Sequence, residues 1–212
     1  MMTKQQTENL FERRTITLKE LRVVDDISED SAEPTIDGYA SVFDSWSEEL
    51  GGNQPFRERV VKGAFEQTIQ EDDIRALFNH DPNYVLGRNK SGTLTLEEDD
   101  KGLHVKIKPP NTQWAKDLLV SIKRGDITQM SFGFTVILDR WNYEDGTDVR
   151  ELLKVKLYDV SPVTFPAYTQ TECGIRSLND ILKNHQSEVV ENKNAIKRKL
   201  EIKKQKLKFI GD

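Results

Sequence analysis

The stretch QMSFGFTV, residues 129–136, sets Phe132, Phe134 and Val136 at every second position with Ser131, Gly133 and Thr135 between them. Period-two alternation marks a strand with one face on a core, and this chain repeats it. IDGYASVFD (36–44), IRALF (74–78), both arms of GTLTLEEDDKGLHVKIKPP (92–110) and LLKVKLYDVSPV (152–163) read the same way. Helical spacing is confined to two places. VVKGAFEQTI (60–69) reads as a turn at Gly63 leading into a short helix. In WAKDLLVSIKRG (114–125), Trp114, Leu118, Leu119 and Ile122 form one stripe, Lys123 and Arg124 close the last turn and Gly125 stops it. A parallel sheet needs a crossover, usually a helix, between successive strands, and the chain lacks that alternation. The expected fold is α+β and mainly antiparallel, a sheet or barrel of about six strands carrying two helices. Turns are expected at Asp81-Pro82, at the acidic EDDKG (98–102) and within WNYEDGTDVR (141–150).

A chain of 212 residues can bury one sizeable core. No apolar run reaches membrane-spanning length and no hydrophobic region follows the charges of MMTKQQTENLFERR, so neither a membrane role nor a signal peptide is expected. The single Cys173 allows no internal disulfide, and with only His80, His104 and His185 beside it a metal site is not expected. No cofactor is expected either. Residues 1–15 are polar and read as a flexible segment, DDISEDSAEPT (25–35) as an acidic loop, and the body begins near Ile16. From Ser177 the pattern changes to sparse apolar residues among lysines and glutamates. From Ile181 to Asp212 there are nine Lys/Arg and four Asp/Glu, a charge of 9 − 4 = +5, which leaves −5 − 5 = −10 for the remainder. A body of that sign disfavours nucleic-acid binding. The basic tail reads as a solvated helical or disordered segment, or as an arm that docks an acidic or assembling partner.

Ser131 faces away from the expected core beside a residue with no side chain, which leaves room for an extended peptide. A serine hydroxyl needs a base, and the base an orienting group. His80 follows Ile74, Ala76 and Phe78 at period two, so it continues an inward face as the chain turns. Such a histidine is ordinarily structural, and it is also the best-placed base. His104 shares a face with Lys106 and Lys108 and reads as a surface residue; His185 lies in the tail. Val155, Leu157, Asp159 and Ser161 alternate onto one face, so Asp159 is expected among core residues, where a carboxylate needs a donor. It could orient an imidazole, or equally accept from an arginine or cap the backbone. Asp81 suits the orienting role less, since neighbours along a strand point to opposite faces. Cys173 as a nucleophile would need a histidine the sequence does not place beside it. No G-x-S-x-G, H-E-x-x-H or phosphate-binding loop is present.

Taken in order, IDGYASVFD, FRERVVKGAF (56–65), LFNHDPNYVLGR (77–88), SGTLTLEEDDKGLHV (91–105), IKRGDITQMSFGF (122–134) and LYDVSPVTFPAY (157–168) closely resemble the prohead, or head-maturation, proteases of tailed double-stranded DNA phages. The resemblance covers residues 15–175, so the protease domain is expected over 16–176, between the 1–15 segment and a 177–212 tail. It implies a serine endopeptidase related to the herpesvirus assemblin proteases, with a β-barrel core surrounded by helices. It also implies cleavage of scaffold protein, or of the scaffolding segment of the major capsid protein, and of the enzyme itself, inside the assembling procapsid in the host cytoplasm. Carried over by motif, the histidine of NHD is His80, the serine of MSFGF is Ser131, and the acidic residue before VSPV is Asp159. Arg88 of VLGR is a candidate for oxyanion or substrate contact, and Gly133 is expected to keep the surface beside Ser131 clear. Implied partners are the major capsid and scaffold proteins and, by analogy, a homodimer favoured by confinement. The alternative is a non-enzymatic procapsid scaffold or assembly factor.

Overall fold

The computed structural model describes residues 10–16, 21–25, 33–51, 55–165, 182–183, 187, 190–191 and 194–202. Cys173 and His185 lie outside them. Among the described residues, ten strands form two sheets. The larger is ordered β1 (Phe11–Ile16), β9 (Gln129–Glu144), β10 (Thr147–Val163), β5 (Arg75–Phe78), β6 (Asp81–Arg88), with β4 (Phe56–Val60) also pairing β10. The smaller runs β2 (Arg22–Val24), β3 (Thr35–Val42), β8 (Gly102–Ile107), β7 (Leu94–Glu98). Pairing is antiparallel except where β10 meets β4 and β5. Ile36, Ala40, Leu103, Val105 and Ile107 of the smaller sheet and Phe132, Phe134, Val155, Leu157 and Val160 of the larger one share a single core. The fold is thus α+β and mainly antiparallel.

The two expected helices are present. α1 (Glu66–Glu71) follows Gly63, whose φ of +94° needs glycine. α2 (Gln113–Arg124) buries Ala115, Leu118, Leu119 and Ile122 and ends at Gly125 in the left-handed region at φ 82°. It delivers the chain directly to β9.

Four strands escaped the alternation reading: β1, β2, β4 and β6. The first begins at Phe11, inside the segment expected to be flexible, so the described body starts five residues before Ile16. Its sequence FERRTI carries three charges, and two of them are paired inside the protein. Arg14 Nε contacts Glu58 at 2.7 Å, Arg150 contacts Glu12 at 3.1 Å and Glu58 at 2.9 Å, and Arg150 Nε contacts Asp139 at 2.7 Å. Burial pulls the Arg14 pKa down, but Glu58 and Glu12 outweigh it and hold the guanidinium charged. Burial likewise pushes Glu58 up, while Arg14 and Arg150 more than reverse it. The cluster joins β1, β4, β9 and β10. Removing one member of a buried pair strands the others, so Arg150→Ala is expected to cost about 3–5 kcal/mol of stability. An unchanged urea midpoint in that variant would show that the cluster adds no net stability.

Of the tail, residues 194–202 are helical, with Ile196, Leu200 and Ile202 exposed, whereas Leu182 packs with Leu50 and Phe56. No helix among the described residues is long and apolar enough to cross a membrane.

Candidate active site

Three residues far apart in sequence meet on the side of the larger sheet that faces away from Phe132 and Phe134. Ser131 comes from β9, Asp159 from the neighbouring β10, and His80 from the turn between β5 and β6. His80 Nε2 lies 2.7 Å from Ser131 Oγ, and His80 Nδ1 lies 2.5 Å from Asp159 Oδ1. Ser161 Oγ donates to the same carboxylate oxygen at 2.8 Å. All four side chains are close to fully buried.

Asp159 reaches this face by a device that plain alternation does not contain. Leu157 is opposite Phe134, yet Asp159 is opposite Gly133, so two steps on β10 match one on β9. Tyr158 is the extra residue of a bulge, and a bulge re-aims the side chains beyond it. Val155 and Leu157 keep the core face, whereas Asp159 and Ser161 turn to the side of Gly133 and Ser131. The expectation that all four share one face is therefore corrected: the carboxylate sits outside the apolar core, with His80 and Ser161 as its donors.

His80 is not a continuation of the β5 face. Phe78 pairs with Asp81, which leaves Asn79 and His80 as a two-residue turn, both left-handed at φ 53° and 57°. The turn therefore comes just before Asp81-Pro82, and Asp81 and Pro82 already belong to β6. Left-handed backbone costs a non-glycine residue free energy, and such strain persists where surroundings hold it. Asn79 supplies the hold: its N–H donates to Pro162 O at 3.0 Å, its carboxamide oxygen accepts from Thr164 N at 2.9 Å, and its Nδ2 donates to Thr164 Oγ1 at 3.2 Å. The turn is thereby clamped to the end of β10, the same strand that carries Asp159. The sequence reading missed Asn79 and Ser161. Asn-x at a hairpin turn is a recognisable signal for the first, and the second needs the bulge to be known.

Gly133 has a different role from the one expected. A Cβ there would lie 2.3 Å from Asp159 Oδ2 and 2.7 Å from the Phe11 ring, so the space it leaves is filled by this chain. Gly133→Ala is expected to push the carboxylate off His80. A displacement of about 1 Å can lower kcat on the order of a hundredfold, to be read with a peptide substrate; wild-type rates would show that the carboxylate can move without consequence.

Arg88 is occupied elsewhere. Its Nε and a terminal nitrogen contact Asp73 at 2.7 Å each, holding the Asp73 carboxyl down to about 2, and its N–H donates to Thr93 Oγ1 at 2.9 Å. Asp81 accepts from Asn83. His104 lies on the smaller sheet against Asp37, at 3.1 Å, and Tyr39.

A hydroxyl within reach of an imidazole, itself held by a carboxylate, is an arrangement competent for nucleophilic attack on a carbonyl. Residues 19–185 match the caudovirus prohead serine protease family. The chain belongs to that family. It is a serine protease of capsid maturation. Among solved structures, the capsid assembly protease of bacteriophage T4 is similar at a TM-score of 0.47 and 12% identity, covering 74% of this chain and 98% of that one. No curated protein matches the sequence.

Proposed function

We propose that Ser131, His80 and Asp159 are the nucleophile, general base and orienting carboxylate of this protease. The distances of 2.7 Å and 2.5 Å through the two ring nitrogens of His80 carry the assignment. Asp159 accepts Nδ1–H, which leaves Nε2 as the acceptor for the Ser131 proton. Attack by Oγ on a scissile carbonyl forms a tetrahedral intermediate as that proton passes to Nε2. The imidazolium, stabilised by Asp159, returns the proton to the leaving amine, and water then hydrolyses the acyl-enzyme by the same relay. The substrates are scaffold protein or the scaffolding segment of the major capsid protein, and the protease itself, within the assembling procapsid. Family membership supports that choice.

Co-expression with the phage's major capsid and scaffold proteins, followed by intact-mass measurement, tests the substrates: shortened capsid or scaffold products are expected. Treatment with a serine-directed fluorophosphonate tests the site. A single adduct on the peptide bearing Ser131 is expected, and absence of both adduct and cleavage in the assembled particle would overturn the assignment.

A further inference from the structure

Ser131 has no exposed surface, although a nucleophile must meet a scissile carbonyl. A backbone carbonyl of this chain is already there: Ser131 Oγ donates to Arg14 O at 2.9 Å. Arg14 belongs to β1, the edge strand that runs antiparallel to β9 from Phe11 opposite Thr135 to Ile16 opposite Met130. Extended peptides bind sheet edges by adding a strand whose backbone supplies the affinity and whose alternate side chains enter pockets. A peptide offering its carbonyl to Ser131 would need this edge, and β1 holds it.

The side chains of β1 show which groups this edge holds. Arg14 grips Glu58 through two nitrogens, at 2.7 Å and 3.2 Å. Two residues earlier, on the same face, Glu12 accepts from Arg150 at 3.1–3.3 Å. Glu58 and Arg150 belong to β4 and β10 and are buried, so they would remain in place beneath any strand that displaced β1. Glu58 and Arg150 would still pair with each other at 2.9 Å, and Arg150 with Asp139 at 2.7 Å, but each would lose the partner that β1 supplies. A buried charge with fewer partners is costly, and a replacing peptide is therefore selected for groups that restore them. The order is set by the register: a basic residue whose own carbonyl faces Ser131, and an acidic residue two positions before it.

We infer that β1 occupies the peptide cleft of the protease as a resident substrate-like strand, and that Glu58 and Arg150 are its specificity-determining residues. They select acidic-x-basic sequences cleaved after the basic residue. This rests on Ser131 being the nucleophile. The resident strand also keeps the cleft shut, because Arg14 O competes with His80 for the Ser131 proton.

The test uses the full chain and a panel of peptides built on FERRTI, the sequence of β1, with the acidic or the second basic position changed to Ala. Products are located by mass, and fluorophosphonate labelling of Ser131 is measured in parallel. Wild type is expected to cleave the parent peptide after the second arginine on the order of a hundredfold faster than its Ala counterpart, the scale of losing hydrogen bonds to a charged group. Arg14→Ala, which loosens β1 and leaves Glu58 in place, is expected to raise both peptide cleavage and labelling. Glu58→Gln, nearly isosteric, is expected to erase the basic preference. Labelled, active enzyme that ignores the basic residue, or an Arg14→Ala variant no faster than wild type, overturns the inference and leaves the triad standing. Neither labelling nor cleavage in wild type and Arg14→Ala alike removes the triad, and the inference with it.

Discussion

Ser131→Ala is expected to abolish processing of capsid and scaffold proteins while leaving the fold unchanged. Removing a triad serine costs about 10⁶ in kcat where it has been isolated, since the imidazole and carboxylate have nothing left to activate. The stability change is expected to stay within about 1.5 kcal/mol. The hydroxyl has one proton, which it donates either to His80 or to Arg14 O, so about one net hydrogen bond is lost, a contribution of that order, and alanine is no larger than serine in a strand buried on both faces. Intact masses of co-expressed capsid and scaffold proteins provide the readout, with urea denaturation as the control on folding. Unprocessed proteins from a fully folded variant assign the chemistry to this hydroxyl. Processing at wild-type level would mean that another group or another protein cuts, and that this chain serves assembly as a scaffold. No intermediate result mimics either case, because the two readings differ by orders of magnitude at one atom.

How the site could be read from sequence depended on which physical signal carried each residue. Ser131 was legible because Phe132 and Phe134 alternate with it, and the core claims those rings. The structure places Asp159 beside His80, but not for the reason that alternation gives. Alternation from Leu157 puts it inward, and only the bulge at Tyr158 sends it to the side of Gly133. A bulge is a relation between two strands and leaves little trace in one of them. His80 was legible as a histidine at a turn, but its place inside the turn depends on Asn79 being clamped to Pro162 and Thr164, 83 and 85 residues away in the chain. The least legible element was β1. FERRTI looks like a solvated segment until Glu58 and Arg150 are known to lie beneath it, and those partners are contributed by β4 and β10. Charged strands are read poorly by patterns that equate burial with apolar residues, since paired charges can be buried too. The helices, whose stripes and caps are local, were the most legible of all.

Asp159→Asn separates the two roles a buried carboxylate can play, orienting a base or merely satisfying donors. The amide is nearly isosteric, and its oxygen can still accept from Ser161 and from Nδ1–H, so the packing around Gly133 and Phe11 should survive. The change removes the negative charge that stabilises an imidazolium as it forms, together with the certainty of the tautomer. An amide that instead turns its NH₂ toward His80 leaves Nδ1 as the acceptor and Nε2 carrying the proton, which is the wrong way round for Ser131. The corresponding change in a serine protease triad lowers kcat by about 10⁴. A comparable loss is expected here, in kcat rather than KM, with fluorophosphonate labelling of Ser131 slowed in parallel. Ser161→Ala is the discriminating partner. It removes one hydrogen bond from the same oxygen but keeps the charge, so a fall of about tenfold is expected, in line with the loss of roughly one net hydrogen bond. If the carboxylate only satisfies its donors, the difference disappears: Asp159→Asn is nearly silent in rate, and both variants register chiefly as small losses of stability. Rates that fall far more steeply for Asp159→Asn than for Ser161→Ala, at similar urea midpoints, place the charge of Asp159 in the catalytic step and make the bulge at Tyr158 the structural feature that puts it there.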